Sequence, residues 1–412
     1  MNESLREKLK SLGVQLGASG IKPGKPKNTG KKIEQIIDGN DIQTPFGNVF
    51  VAISDYPPSY QHGKVRFDRC VRLKWLAAWG KTPGLEQNRL EEIVFLDTET
   101  SGLAGGAGTF AFMAGVGSFT NTGFQVRQFF LRDPSQELPF LAGLLSYLHP
   151  FKTVVTFNGK SFDIPLMNNR YILSRLGTPF DNMEHIDLLH LARRLWRNRL
   201  EKRALGDLER EILNFRRTQE EVPGWLVPQY YVDYLKSGDA QPLEGVFYHN
   251  AVDILSLAGL FLFTAELLEE PFSASDIHSL DLAAIAQLYQ ELGDLEGAVQ
   301  LYEKSIAQGL PHSFFLKTLH TYGHLHRKRG EFEAAIRVWE RAANEGMVDS
   351  CIELAKYYEH TCRDHLTAVS WAEKALTILP NVESSQDRIT RDELIHRICR
   401  LRGKIQKQES RS

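Results

Sequence analysis

The chain has 412 residues, enough for two or three domains, each with its own core. Hydrophobic residues make up 42% and charged residues 24%, and the net charge of -2 excludes a globally basic nucleic-acid coat but not a local basic groove. Cys70, Cys351, Cys362 and Cys399 show no C-x-x-C pairing, so no zinc signature or disulfide framework is present and a reducing cytoplasm fits.

The start, MNESLREKLKSLGVQ, lacks the apolar core of a signal peptide. Residues 1–40 read as a flexible basic tail, with Lys22, Lys25, Lys27, Lys31 and Lys32 among Gly and Pro. Residues 41–90 form an N-terminal extension with a strand or hairpin near 46–53 and a helix near 71–79. No chemistry is assigned to it, and His62 reads as structural. The spacing then predicts strands at 93–97, 110–119 and 124–131, a helix at 137–148, a strand at 153–157 and a helix at 161–176. Helices dominate to residue 272. Strands followed by helices that pack on them give an α/β layer over 91–272. The apolar stretch from Ile254 to Leu268, broken by Ser256, Thr264 and Glu266, is expected to be too short for a bilayer, so no membrane partner is expected.

Three short motifs carry candidate chemistry. In Ile93-Val94-Phe95-Leu96-Asp97-Thr98-Glu99-Thr100, a strand places Asp97 and Glu99 on one face. Carboxylates about 4 Å apart repel by about 4 kcal/mol at an effective dielectric near 20, so a shared proton or a bound hard cation must offset them. An acidic turn explains these two residues equally well when they are taken alone. The glycines that follow, Gly106-Ala107-Gly108-Thr109-Phe110-Ala111, fit a dinucleotide fingerprint, but they lead into a strand rather than a helix, and that reading is rejected.

The second motif is Asn158-Gly159-Lys160-Ser161-Phe162-Asp163. Here Asn-Gly makes a sharp turn, Ser161 is expected to cap the next helix, and Asp163 lies near its start. The third is Tyr248-His249-Asn250-Ala251-Val252-Asp253 on a largely apolar helix, with His249 one turn before Asp253. Beyond residue 273 the period changes. Gly293 and Gly330, and Ala298 and Ala335, are each 37 apart, and a weaker third copy has Tyr357, Ala368, Ala372 and Ala375. This pattern resembles tetratricopeptide repeats over 273–412, an all-α region.

Asp97, Glu99, Asp163 and Asp253, in this order and spacing, resemble the DEDD superfamily of 3′–5′ exonucleases. Their combination with helical repeats is similar to a bacterial family of ribonuclease-H-like proteins carrying tetratricopeptide repeats, a resemblance that extends from Thr44 to the repeats. The resemblance implies a ribonuclease-H-like mixed sheet flanked by helices. It also implies hydrolysis of DNA or RNA, at single-stranded 3′ ends, with two Mg2+ or Mn2+ ions. Asp97 would bridge both ions, Glu99 and Asp253 would complete one site, and Asp163 would support the other. The superfamily has a tyrosine four residues, or a histidine five residues, before the last aspartate. This chain has His249 and Tyr248 at the exchanged spacings, so the base is His249 or Tyr248, with His249 favoured. Lys160, Arg170, Arg193 and Arg194 are candidates for holding phosphates, and the repeats for docking a protein partner. The rival reading is a nucleic-acid-binding or scaffold protein whose nuclease site is degenerate.

Overall fold

The computed structural model describes residues 30–102, 108–218, 222–273, 277–379 and 391–410. Among these, the strands in chain order are β1 (Gly39–Thr44), β2 (Gly47–Tyr56), the short β3 (Gln61–His62) and β4 (Val65–Arg66), β5 (Ile93–Thr100), β6 (Ala111–Thr120), β7 (Gly123–Phe130), β8 (Thr153–Thr156) and β9 (Glu184–Asp187). Contacts group the chain into two compact units. The first takes its described residues from 30–68, 88–185 and 215–259, the second from 69–87, 186–214 and 260–410.

The first unit is built on a seven-stranded sheet in the order β1-β2-β7-β6-β5-β8-β9. The pairs from β1 through to β5 are antiparallel, and β5 with β8 is parallel. Ile93, Val94, Phe95 and Leu96 are all fully buried, so β5 is covered on both faces, as its unbroken apolar run requires. On one side Phe112 stacks on Tyr231, with ring centroids 4.2 Å apart, and Tyr231 donates its hydroxyl to the Leu131 carbonyl at 2.9 Å. Each such buried ring contributes about 2 kcal/mol relative to exposure. The helix Glu137–Leu148 forms over the expected residues and packs on β1 and β2.

Four expectations need correction. Residues 30–40 are not a tail: Ile33 is buried in the core, Lys31 bonds Ala240 through its carbonyl, and β1 starts at Gly39. The apolar run Ile33-Glu34-Gln35-Ile36-Ile37 overrides the lysine-rich composition before it; residues 1–29 lie outside the described residues. The helix after β8 is Asp163–Leu173, and Phe162 rather than Ser161 stands at its cap position. The short strand β9 was absorbed into helix by the sequence pattern. Finally, the stretch from Ile254 to Leu268 belongs to the 26-residue helix Glu244–Glu269, long and apolar enough to cross a membrane. Its apolar window is 78% buried inside the protein, which is the property of a core helix that is hydrophobic on all sides.

The second unit is helical. Ser279–Leu292 packs on Leu295–Gln308, His312–Lys328 on Phe332–Asn344, and Val348–Tyr357 on His365–Ile378; Arg391–Glu409 closes the stack. Ala298, Ala335, Ala368, Ala372 and Ala375 are buried where paired helices meet. Gly293 takes φ +95 where the first hairpin turns, a conformation that costs glycine nothing. Segments before the repeats belong to the same unit: Trp75 stacks on Tyr289 at 4.2 Å, and Arg199 pairs with Asp281 at 3.1 Å.

Candidate active site

Asp97 and Glu99 share one face of β5, near its end. On that face Gly115 of β6 lies opposite Asp97, and Gly117 opposite Phe95. A Cβ on Gly115 would sit 2.1 Å from Asn250 Oδ1, and one on Gly117 2.4 Å from Ile254 Cγ2. The two glycines therefore let the helix Glu244–Glu269 settle directly on β6. Asn250, which is fully buried, donates from Nδ2 to Asp97 Oδ2 at 3.0 Å. Its own Oδ1 accepts from Gln128 Nε2 at 3.0 Å, and Gln128 also donates to the Phe247 carbonyl at 2.8 Å. This buried relay orients the Asp97 carboxylate. Leaving any of its groups unmet would cost about 1–3 kcal/mol.

Because β8 runs parallel to β5, the two strands end at the same edge of the sheet, where α/β sheets gather ligands. The chain leaves β8 through Asn158, at φ +69, and Gly159, whose Cβ would lie 2.5 Å from the Thr156 side chain. Asp163 then falls on the first turn of its helix, where the helix dipole favours an anion, and Thr98 donates its hydroxyl to Asp163 Oδ1.

The four acids act on one another. Burial pushes Asp97 well above the usual carboxylate range; Asp253, Asp163 and Glu99 push it further, and the Asn250 bond opposes them. Burial, Asp253 and Asp163 raise Glu99 to about 8, against the pull of Arg217. Residues 97, 99, 163 and 253 thus stand in one electrostatic cluster.

Asp253 meets two cationic or polar partners. Arg217 Nη2 ion-pairs with its Oδ1, and His249 Nε2 lies 3.2 Å from its Oδ2. Arg217 Nη1 also donates to His249 Nδ1 at 2.8 Å. With Nδ1 accepting, the network assigns the ring proton to Nε2. Tyr248 points elsewhere: its hydroxyl oxygen accepts from the Thr218 backbone N–H at 3.1 Å. Among the described residues, no three His, Cys, Asp or Glu side chains converge closely enough to chelate an ion as they stand. The donor set is nonetheless all oxygen apart from one imidazole, and the high proton affinity of Asp97 and Glu99 marks a demand for cations. Both properties fit a hard divalent ion.

Comparison with known proteins bears on the domains that carry these residues. A model of the RNase_H superfamily matches residues 94–263, and a tetratricopeptide repeat model matches 282–312. Over 361 residues the chain is 30% identical to the uncharacterized protein YprB of Bacillus subtilis (strain 168), covering 85% of this chain and 84% of that one. The chain belongs to the YprB family. It combines a ribonuclease-H-like domain with a helical repeat region.

Within this family member, sequence reasoning missed Gln128, Asn250 and Arg217. Asn250 lies inside the third motif, one residue from His249, and its burial on an apolar helix was the available signal. Arg217 had none, because 36 residues, the helix Val227–Ser237 among them, separate it in the sequence from Asp253. Of the basic candidates, Arg170 is committed to Glu137 with Nε 2.6 Å from Oε1, which corrects its assignment to phosphate. Arg194 is likewise paired with Glu291, and it belongs with Arg193 to the second unit. Lys160 is exposed within the second motif.

Proposed function

We propose that the first unit is a metal-dependent nuclease hydrolysing phosphodiester bonds of DNA or RNA, as a 3′–5′ exonuclease working on single-stranded ends. The observation that carries this reading is the gathering of the acids at one end of the sheet: Asp97 and Glu99 share a face of β5, Thr98 of the same strand bonds Asp163, and Asn250, three residues before Asp253, bonds Asp97. Asp97 would bridge two Mg2+ or Mn2+ ions, Glu99 and Asp253 would complete one site, and Asp163 would support the other. When bound, such ions activate water and stabilise the leaving oxygen. The residues supply the rest. Asn250 holds Asp97 in one orientation, Thr98 holds Asp163, and His249 takes the proton of the attacking water at Nδ1. The second unit would bind a protein partner; its helices border a groove of about 890 Å³ lined by Tyr302, Phe314, Lys317 and His320. Four free cysteines suit the cytoplasm as its compartment.

The test is 5′-labelled DNA and RNA oligonucleotides with the full chain and Mn2+. Stepwise shortening is expected, and Asp97→Asn should slow it about a hundredfold or more. Undiminished cutting by Asp97→Asn would sink the site assignment. A second reading, a scaffold with a retired site, is favoured by one observation: Arg217 engages both Asp253 and His249. Absence of cutting together with absence of Mn2+ uptake would select it.

A further inference from the structure

Arg217 occupies an unusual place for a cation in a nuclease site. Its side chain is only 10% exposed, and its guanidinium lies against the carboxylate of Asp253 and donates to the one acceptor nitrogen of His249. It therefore engages an expected metal ligand and the expected base together. Its field is felt further in, because Arg217 is the group that opposes the upward push on Glu99.

The segment that carries Arg217 is pinned on both sides. Phe215 stacks on the ring of His62 at 3.8 Å and 27°. His62 is fully buried, bonds Ser256 Oγ at 2.8 Å, and lies 3.3 Å from the Tyr60 hydroxyl. On the other side the Thr218 backbone N–H and hydroxyl both meet the Tyr248 hydroxyl, at 3.1 and 3.2 Å. The backbone is thus anchored independently of the guanidinium. A long unbranched stem can swing its head away by side-chain rotation while the loop stays in place.

We infer that Arg217 is a built-in competitor of the metal ion: it neutralises Asp253 and caps His249 until a divalent cation takes the carboxylate, so that ion entry and withdrawal of the guanidinium are one event. The inference rests on the metal-site reading above and adds its regulation. Arg217 holds Asp253 Oδ1 and His249 Nε2 faces Oδ2, so both oxygens are taken and an incoming divalent ion meets a positive charge at contact distance; it displaces the guanidinium once its concentration is high enough. Release of the His249 acceptor nitrogen follows from the same movement, which couples the base to the ion without a separate switch.

The experiment is calorimetric titration of the full chain with Mn2+ alone, without nucleic acid, in the wild type, Arg217→Gln and Arg217→Lys. Circular dichroism checks that each variant is folded. Arg217→Gln removes the competing charge and should tighten Mn2+ binding by about tenfold or more. Arg217→Lys keeps the charge but lacks the fork needed to hold Asp253 and His249 together, so an intermediate gain is expected. Equal or weaker binding in both variants overturns the inference and leaves the metal site standing. No uptake by any of the three proteins overturns the inference and the metal reading together.

Discussion

Glu99 carries chemistry that is exposed to pH. Its carboxyl is raised to about 8 in the fold, against an ordinary value of 4.5. Between those values the folded state holds a proton that the unfolded state releases, so stability falls as pH rises from about 4.5 to about 8 and then levels off. Asp97, raised in the same direction, adds to the slope. Urea unfolding in the presence of a chelator should show this decline, and Glu99→Gln should flatten it; a decline of unchanged steepness would show that another group is responsible. At this scale the sequence was informative about types but not about partners. Asp97, Glu99, Asp163 and Asp253 were legible because acids at the end of an apolar strand or on an apolar helix are conspicuous. Gln128 and Asn250 were not, since an amide in a buried relay looks like any amide until the strand and helix that hold it are brought together.

At the scale of elements, closeness between β6 and the helix Glu244–Glu269 decides whether the site exists. Gly115→Ala places a methyl inside the Asn250 amide, so the helix must lift or Asn250 must turn. Either response breaks the bond to Asp97. A loss of about 1–3 kcal/mol in stability is expected, with weaker Mn2+ binding; a variant with unchanged melting temperature and unchanged binding would refute the close-packing account. The alternation of Ala114-Gly115-Val116-Gly117 was visible as a strand. That its glycine face seats a helix was not, because periodicity gives the faces of an element but not its neighbour.

The closing helix Arg391–Glu409 is held by a different device. Glu359 is buried, and Arg397 Nη1, Arg400 Nη2 and Lys404 Nζ reach its carboxylate at 3.0, 2.8 and 2.8 Å. Burial alone would raise Glu359, but Arg400 and Lys404 outweigh it and bring it to about 2. Its contribution to stability is therefore full above about 4.5 and is lost as pH falls toward about 2. Glu359→Ala leaves three partly exposed cations facing one another, at a cost of about 2–3 kcal/mol. The measurement is chemical denaturation followed by helix content, and an unchanged midpoint at neutral pH would count against the cluster.

At the scale of the whole molecule, the two units do not follow the order of the chain. The sequence suggests a repeat region beginning at residue 273, yet the compact unit also takes residues 69–87 and 186–214. Trp75 on Tyr289, Arg194 with Glu291 and Arg199 with Asp281 are contacts that a fragment of residues 273–412 would lack. Such a fragment is expected to melt well below the intact chain and to expose Tyr289. A fragment as stable as the full protein would restore the simpler boundary. The sequence does not announce these added segments, for a physical reason. Helical repeats announce themselves by period, whereas the segments that cover their first hairpin have no period and resemble ordinary loops and short helices.

The bond between Asp97 and Asn250 spans 153 residues, and the parallel pairing of β5 with β8 also joins distant segments. Contacts of such long range close late, because the entropy of a large loop must be overcome first. During synthesis the acids of β5 leave the ribosome long before Asn250, His249 and Asp253 exist to meet them. A nascent chain therefore carries two carboxylates of the cluster and none of its remaining geometry. The nuclease proposed for the finished protein would be inert beside the messenger RNA that encodes it, through the order in which its parts are made.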